Sequence, residues 1–298
     1  MTKHNLIIVR AGNSSLHPSW MLPAEKRNWD LIVSYYGDDP KQFREKDVER
    51  IDSKGPKWPS LHALLMNEAF PWRSYDFIWF PDDDLACSGH KINQFFDICR
   101  DFKIDLAQPS LSWESHRSHL ITVHNPNFRI RFTNFVEIMA PCFSRRFLNR
   151  SMRSFSMNLS GWGLDFIWPR WGAGMNGVCA IIDDVQITHT RPVGGPIYAL
   201  LDEAGDSPQR EYKEALGKHH IRDTRQINLE SISVKEEKWS LMAENGNDYV
   251  NILCSGWRDY CSEKTADLEK LLREHRDYRR GKSKLHRIVQ ALIAHVKA

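Results

Sequence analysis

Three consecutive carboxylates, Asp82, Asp83 and Asp84, follow the apolar run 75–80 (Tyr-Asp-Phe-Ile-Trp-Phe) after a single proline. Carboxylates this close repel one another. A hard divalent cation, Mn2+ or Mg2+, removes that cost and keeps positions open for water and substrate phosphates. Pro-Asp-Asp-Asp also suits a solvated surface turn. Its place just beyond an apolar strand favours the cation, because open α/β sheets gather ligands at the carboxyl ends of their strands. His189 ends another strand-like run. A neutral imidazole there can complete an Asp-based metal site, or it can be an ordinary packed histidine. Asp165 closes the run Gly-Trp-Gly-Leu-Asp. As a helix-opening residue it answers the helix dipole; as a general base it takes a proton from an attacking hydroxyl. Beside it, Gly163 lets backbone approach a ligand and Trp162 offers an aromatic face. Arg10, Lys57 and Arg191 stand in or next to loops after strands, where each can meet a phosphate or form a surface salt bridge.

The elements that must position these groups can be traced from the apolar pattern. Residues 6–9 and 30–37 predict buried strands, each followed by a loop. Ser60 is expected to cap a helix carrying Leu61, Leu64, Leu65 and Ala69. Residues 75–80 predict a third buried strand, 92–102 a helix and 106–109 a further strand. Strands alternating with helices indicate an α/β sheet, largely parallel at this end. Residues 128–140 alternate in their first half as a half-exposed strand does, a helix is expected over 165–171, and 178–189 reads as strand, turn, strand. Gly194, Gly195 and Pro196 close the compact part. Leu268, Leu271, Leu272 and His275 share one helical face. Leu285, Ile288, Val289, Leu292, Ile293 and Val296 form an apolar stripe among Lys282, Lys284, Arg287 and Lys297. The division expected is a catalytic region over 1–200, a polar extension over 201–262 and a basic amphipathic tail over 263–298.

A chain of 298 residues with 41% hydrophobic and 27% charged residues is an ordinary globular protein. A net charge of +3 argues against a general nucleic-acid binder. Ten Lys/Arg against five Asp/Glu from Glu263 onward put about +5 in the tail and −2 in the remainder. Six scattered cysteines without a CxxC pair match neither a zinc pattern nor a disulfide framework. No stretch has the length of a membrane span or signal peptide, so a cytoplasmic location is expected. The basic tail suits an anionic membrane surface, packing on its own domain, or a second subunit. Eleven Trp suit cores first and sugar-facing clefts second.

The runs LIIVRAGNSSLHPSW, YDFIWFPDDDL, GWGLDFIWPRW and DDVQITHTRP resemble the bacterial and plant family catalogued as DUF707, itself similar to GT-A glycosyltransferases. The likeness covers roughly residues 5–195. It implies a GT-A fold: a Rossmann-like nucleotide-binding half, a mixed-sheet acceptor half and, in this chain, a helical C-terminal appendage. It implies that the triplet is the DxD signature, with Asp84 a direct metal ligand and Asp82 nearer the ribose or the metal waters. It implies that Asp165 is the base of an inverting enzyme, that Trp162 and Gly163 face the acceptor, and that His189 completes the metal site. Lys57 takes the place of a basic residue facing the nucleotide. Three Asp in a row leave the DxD register formally ambiguous. The expected partners are a nucleotide-sugar donor and a carbohydrate or glycolipid acceptor, with self-association left open. Two rivals stand beside this reading. A metal-dependent phosphohydrolase or nuclease would recruit more carboxylates, such as Asp183 and Asp184. A non-catalytic carbohydrate binder would use the Trp residues alone.

Overall fold

The computed structural model describes residues 4–45, 47–175, 177–192, 194, 201–203, 205–261 and 265–296, with side chains of the last stretch through Lys282. Gly195, Pro196 and the stripe from Leu285 to Val296 lie outside the residues whose side chains are described.

Strand β1 (Asn5–Ala11) is buried along its whole length. Leu6 and Ile8 enter one core, while Ile7, Val9 and Ala11 enter another on the opposite face of the sheet. A strand covered on both sides has no polar face to show, which is why its sequence is a continuous apolar run. Around it stand β2 (Trp29–Tyr35), β3 (Glu49–Asp52) and β4 (Phe77–Trp79), all parallel. Strand β8 (Cys142–Ser144) runs antiparallel between β4 and β6 (Leu106–Leu111). Strand β9 (Cys179–His189) returns parallel to β6, and β7 (Phe128–Thr133), β10 (Asn228–Ser233) and β11 (Lys238–Ser240) complete an antiparallel end. Among the described residues the order is β11-β10-β7-β9-β6-β8-β4-β1-β2-β3, with the two-residue β5 (Leu85–Ala86) pairing β9 off this path. The protein is thus α/β with a parallel half and a mixed half in one sheet.

Helix α1 (Lys57–Met66) packs on one face of the sheet with α3 (Arg145–Ser151) and α4 (Leu164–Ala173), while α2 (Gly89–Asp101) covers the other. Seven of the eleven Trp are fully buried, so most of the Trp content serves packing rather than a sugar-facing surface. Residues 201–262 contain α5 (Pro208–Lys218), α6 (Gly246–Ser255), β10 and β11. Ile227, Tyr249, Leu253 and Trp257 join the same core as Leu6 and Trp58, so the polar composition here hides a continuation of the sheet and its core. The last helix, α7 (Thr265–Val296), is pinned at its N-terminal half: His275 accepts the backbone N–H of Asn228 at 2.9 Å, and Arg117 pairs with Asp267. No helix among the described residues is long and apolar enough to cross a membrane.

Four sequence expectations are corrected. Ser60 lies inside α1, whose cap is Pro56; its hydroxyl donates to the Lys54 carbonyl. That helix stops at Met66, short of Ala69. The run 178–189 is one strand, not two: its partner jumps from Ile182 to Gln186 where Asp183 turns aside to bind Arg131. That pair is fully buried, Arg131 also capping the carbonyls of Ile121 and Val123. The run 128–140 leaves the sheet after Thr133, where the Asn134 side chain closes the strand end by accepting the Ile227 N–H and donating to the Arg225 carbonyl. Residues 134–141 then pass irregularly across the end of the sheet.

Candidate active site

The parallel strands β1, β2, β3, β4, β6 and β9 all end at one edge of the sheet, the edge where doubly wound folds bind ligands. A cleft of about 1090 Å³ opens there, lined among others by Arg10, Lys57, all three Asp of the triplet, Asp165, His189 and Arg191. Residues far apart in sequence are therefore brought to one place.

The triplet sits in the short link between β4 and β5, and β5 pairs with the end of β9 so that Leu85 lies opposite His189. This pairing carries Asp84 to the imidazole: Asp84 Oδ2 is 3.2 Å from His189 Nε2. The other ring nitrogen, Nδ1, lies 2.7 Å from the His116 carbonyl oxygen. One ring proton on Nδ1 donates to that carbonyl and a second on Nε2 donates to Asp84 Oδ2. Burial alone would raise the Asp84 carboxyl, but its hydrogen bond and charge contact with His189 carry it below the ordinary range. Desolvation lowers His189, and the Asp84 bond more than reverses this, to about 8.

The other two carboxylates point elsewhere. Asp82 Oδ1 accepts from Lys57 Nζ at 2.6 Å, and that ammonium also donates to the carbonyls of Ile138 and Met139. Asp83 accepts the Gly12 N–H at 2.7 Å and pairs with Arg191 at 3.2 Å, which ties the triplet to the loop after β1. Desolvation raises both Asp82 and Asp83, against the pull of Lys57 on the one and of the Gly12 N–H and Arg191 on the other. The mutual repulsion expected of the triplet is answered by three separate cations. Arg10 donates to the carbonyls of Ser53 and Gly55 and to the Ser34 hydroxyl, so its guanidinium braces the loop after β3 beneath the cleft wall.

Asp165 also lines the cleft, stands in the first turn of α4 and is 6% exposed. Its helix starts from Gly163, whose φ of 95° is a backbone conformation that costs glycine little. At Gly161 (φ 81°) a Cβ would also stand 2.1 Å from the Trp58 indole nitrogen, so the loop carrying Trp162 can lie against α1 only as glycine. Glu211 of α5 braces the same loop, accepting the N–H groups of Leu159 and Ser160. Burial pushes the Asp165 carboxyl up to about 7, opposed by backbone N–H groups at the helix start. A carboxylate near this value can both hold and release a proton at neutral pH, as a general base must.

The pair Asp84 and His189 fits a divalent cation. Two neighbouring ligands of an octahedral ion with bonds of about 2.1 Å stand roughly 3 Å apart, close to the separation found. Asp84 Oδ1 is buried without a hydrogen-bond partner, a cost that a cation would remove. Among the described residues no group of three or more His, Cys, Asp or Glu forms a cage. Two side chains plus water and substrate phosphates would have to hold the ion, the arrangement Mg2+ favours.

No protein-family model and no curated protein sequence matches the chain. Among solved structures, S. aureus TarS residues 1–349 in complex with UDP-GlcNAc aligns over 94% of this chain and 92% of that one, at 13% identity and a TM-score of 0.43. The same fragment alone and with UDP gives 14% identity and a TM-score of 0.42. At these values the likeness extends to neither substrate nor mechanism.

Several cleft residues escape sequence reasoning. Tyr36, at the end of β2, faces the cleft beside Arg10, whose guanidinium carbon is 5.3 Å from the ring centroid; the strand-end position alone could have marked it. Lys270 and Glu274 of α7 also line the cleft; only tertiary packing reveals that. Glu137 also lines the cleft, from the irregular segment after β7. Asp183 and Asp184, by contrast, do not line it: Asp183 is held by Arg131 and Asp184 by Arg129.

Proposed function

We propose that this protein is a metal-dependent, inverting glycosyltransferase of the GT-A type, moving a sugar from a nucleotide diphosphate to a hydroxyl acceptor. One observation carries the reading. A single cleft at the carboxyl ends of the parallel strands is lined by Asp84 and His189, by Lys57 and Arg191 paired to the rest of the triplet, and by the buried carboxyl of Asp165. Asp84 and His189 would hold Mn2+ or Mg2+, which when bound supplies Lewis-acid neutralisation of the departing diphosphate. Lys57 and Arg191 add positive charge beside the phosphates. Tyr36 offers a ring at the nucleotide end. Asp165 takes the proton of the acceptor hydroxyl, with Trp162 and Gly163 shaping its approach from the face opposite the leaving group. The separation of Asp183 and Asp184 from the cleft speaks against a phosphohydrolase built on a carboxylate cluster.

The test is a binding panel on the full-length chain: UDP-glucose, UDP-galactose, UDP-GlcNAc and GDP-mannose, each with and without Mn2+, read by thermal unfolding. A bound donor at about a hundred times its Kd should add roughly 2.7 kcal/mol of stability, seen only with the cation. Release of phosphate from nucleotides or cleavage of nucleic acid, with no stabilisation by any nucleotide-sugar, would replace this reading with a hydrolase.

A further inference from the structure

Glu137 is an expensive residue to keep where it is. It is 5% exposed, and its Oε2 is buried with no hydrogen-bond partner. A carboxyl oxygen left in that state costs folding free energy that an apolar side chain would not. The surroundings hold it in place regardless. Its backbone N–H donates to Gln108 Oε1 at 2.6 Å, from a glutamine itself 1% exposed on β6. The next two residues, Ile138 and Met139, offer their carbonyls to Lys57, the lysine that binds Asp82. The segment presenting Glu137 is thus fastened to the same lysine that secures the triplet.

Its neighbours define where the carboxyl lies. Asp165, His189 and Asp82 are all close enough to act on its charge, and all three line the same cleft. It therefore lies near both the Asp82 and His189 end of the cleft and Asp165. On the function proposed above, a donor with its diphosphate near Asp84 and its reacting carbon open to an acceptor at Asp165 brings its sugar ring to the part of the cleft that Glu137 lines. Nothing in the two-metal-ligand and one-base scheme uses a third acid here.

We infer that Glu137 reads the transferred sugar, its unpartnered carboxyl oxygen taking up a ring hydroxyl of the donor. This rests on the glycosyltransferase reading and deepens it. The substrate class is a nucleotide-activated pyranose with a free hydroxyl facing Glu137, and the residue contributes to sugar choice rather than to nucleotide capture. A site built to hydrogen-bond a hydroxyl rejects ligands that lack it far more strongly than an apolar pocket rejects a missing methylene.

The experiment compares Kd for a nucleotide with Kd for its sugar conjugate, with Mn2+ present, in wild type, Glu137→Gln and Glu137→Ala. The probes are UDP against UDP-glucose, UDP-galactose and UDP-GlcNAc, and GDP against GDP-mannose. The nucleotide alone should bind all three proteins within about twofold, since no contact to it is removed. The extra affinity that the sugar confers should fall about tenfold or more in Glu137→Ala, with part retained in Glu137→Gln. Thermal unfolding should show both variants folded, with Glu137→Gln, which keeps the side-chain volume, close to wild type. Sugar-dependent affinity unchanged in both variants overturns the assignment, and so does loss of nucleotide or Mn2+ binding, which would make Glu137 a cation ligand. A wild type that binds neither nucleotide nor conjugate fails at the glycosyltransferase reading itself, a separate and recognisable result.

Discussion

Asp165→Asn is expected to lower turnover by about 10² to 10⁴-fold while donor affinity stays within a small factor of wild type. The amide keeps the volume and the local bond to the Phe166 N–H side of the helix start, but it cannot accept a proton. Wild-type rate should rise with pH through about 7, where the Asp165 carboxyl ionises. The same substitution should act on stability in the opposite sense. Burial raises the Asp165 carboxyl from 3.8 to about 7, so between those values the unfolded chain is ionised and the native one is not. Stability then falls as pH rises through that window, by on the order of a few kcal/mol, and levels off above it. Asn removes that loss, so Asp165→Asn should melt higher than wild type at pH 8 and close to it at pH 4. A variant with near-normal turnover would demote Asp165 to a helix-opening residue and reopen a retaining mechanism.

Asp84→Ala should lose Mn2+-dependent donor binding by about 100-fold or more, some 3 kcal/mol, and remain folded. It removes the partner of His189 and the orphaned Oδ1 together. Asp82→Ala is the companion measurement. It frees Lys57 from its carboxylate, so donor affinity should change while its dependence on Mn2+ persists. Calorimetric titration of Mn2+ and of donor against both variants separates the two. If Asp84→Ala kept the Mn2+ dependence and Asp82→Ala abolished it, the cation would belong to Asp82 and the register of the triplet would shift by two residues.

Much of this arrangement was readable from residue order. The strands at 6–9, 30–37 and 75–80 are buried on both faces, so their apolar runs stand out, and the rule that sites gather at strand ends then singles out the triplet. The meeting of Asp84 and His189 was foreshadowed by two strand ends, although the two-residue β5 that enforces it is too short to see in sequence. Strand β3 was missed because Glu-Arg-Ile-Asp is a charged, half-exposed edge, and edges carry little apolar signal. Strand β8 spans only three residues. Glu137 was hidden because the strand alternation ends at Thr133, and an acid in the irregular segment after it carries no periodic signal. Lys270 and Glu274 were read as part of a separate tail because their role depends on where α7 docks, which no local pattern encodes.

The pairing of each triplet carboxylate with its own cation, Lys57, Arg191 or His189, has a consequence for traffic into the cleft. With His189 protonated, this floor carries almost no net charge before a substrate arrives. A nucleotide-sugar travelling with a divalent ion is itself close to neutral. The encounter is then one neutral body with another, and the electrostatic steering that speeds oppositely charged partners has little to act on. Donor capture would consequently be almost indifferent to ionic strength, governed by fit at short range and by how fast the cleft exchanges its water.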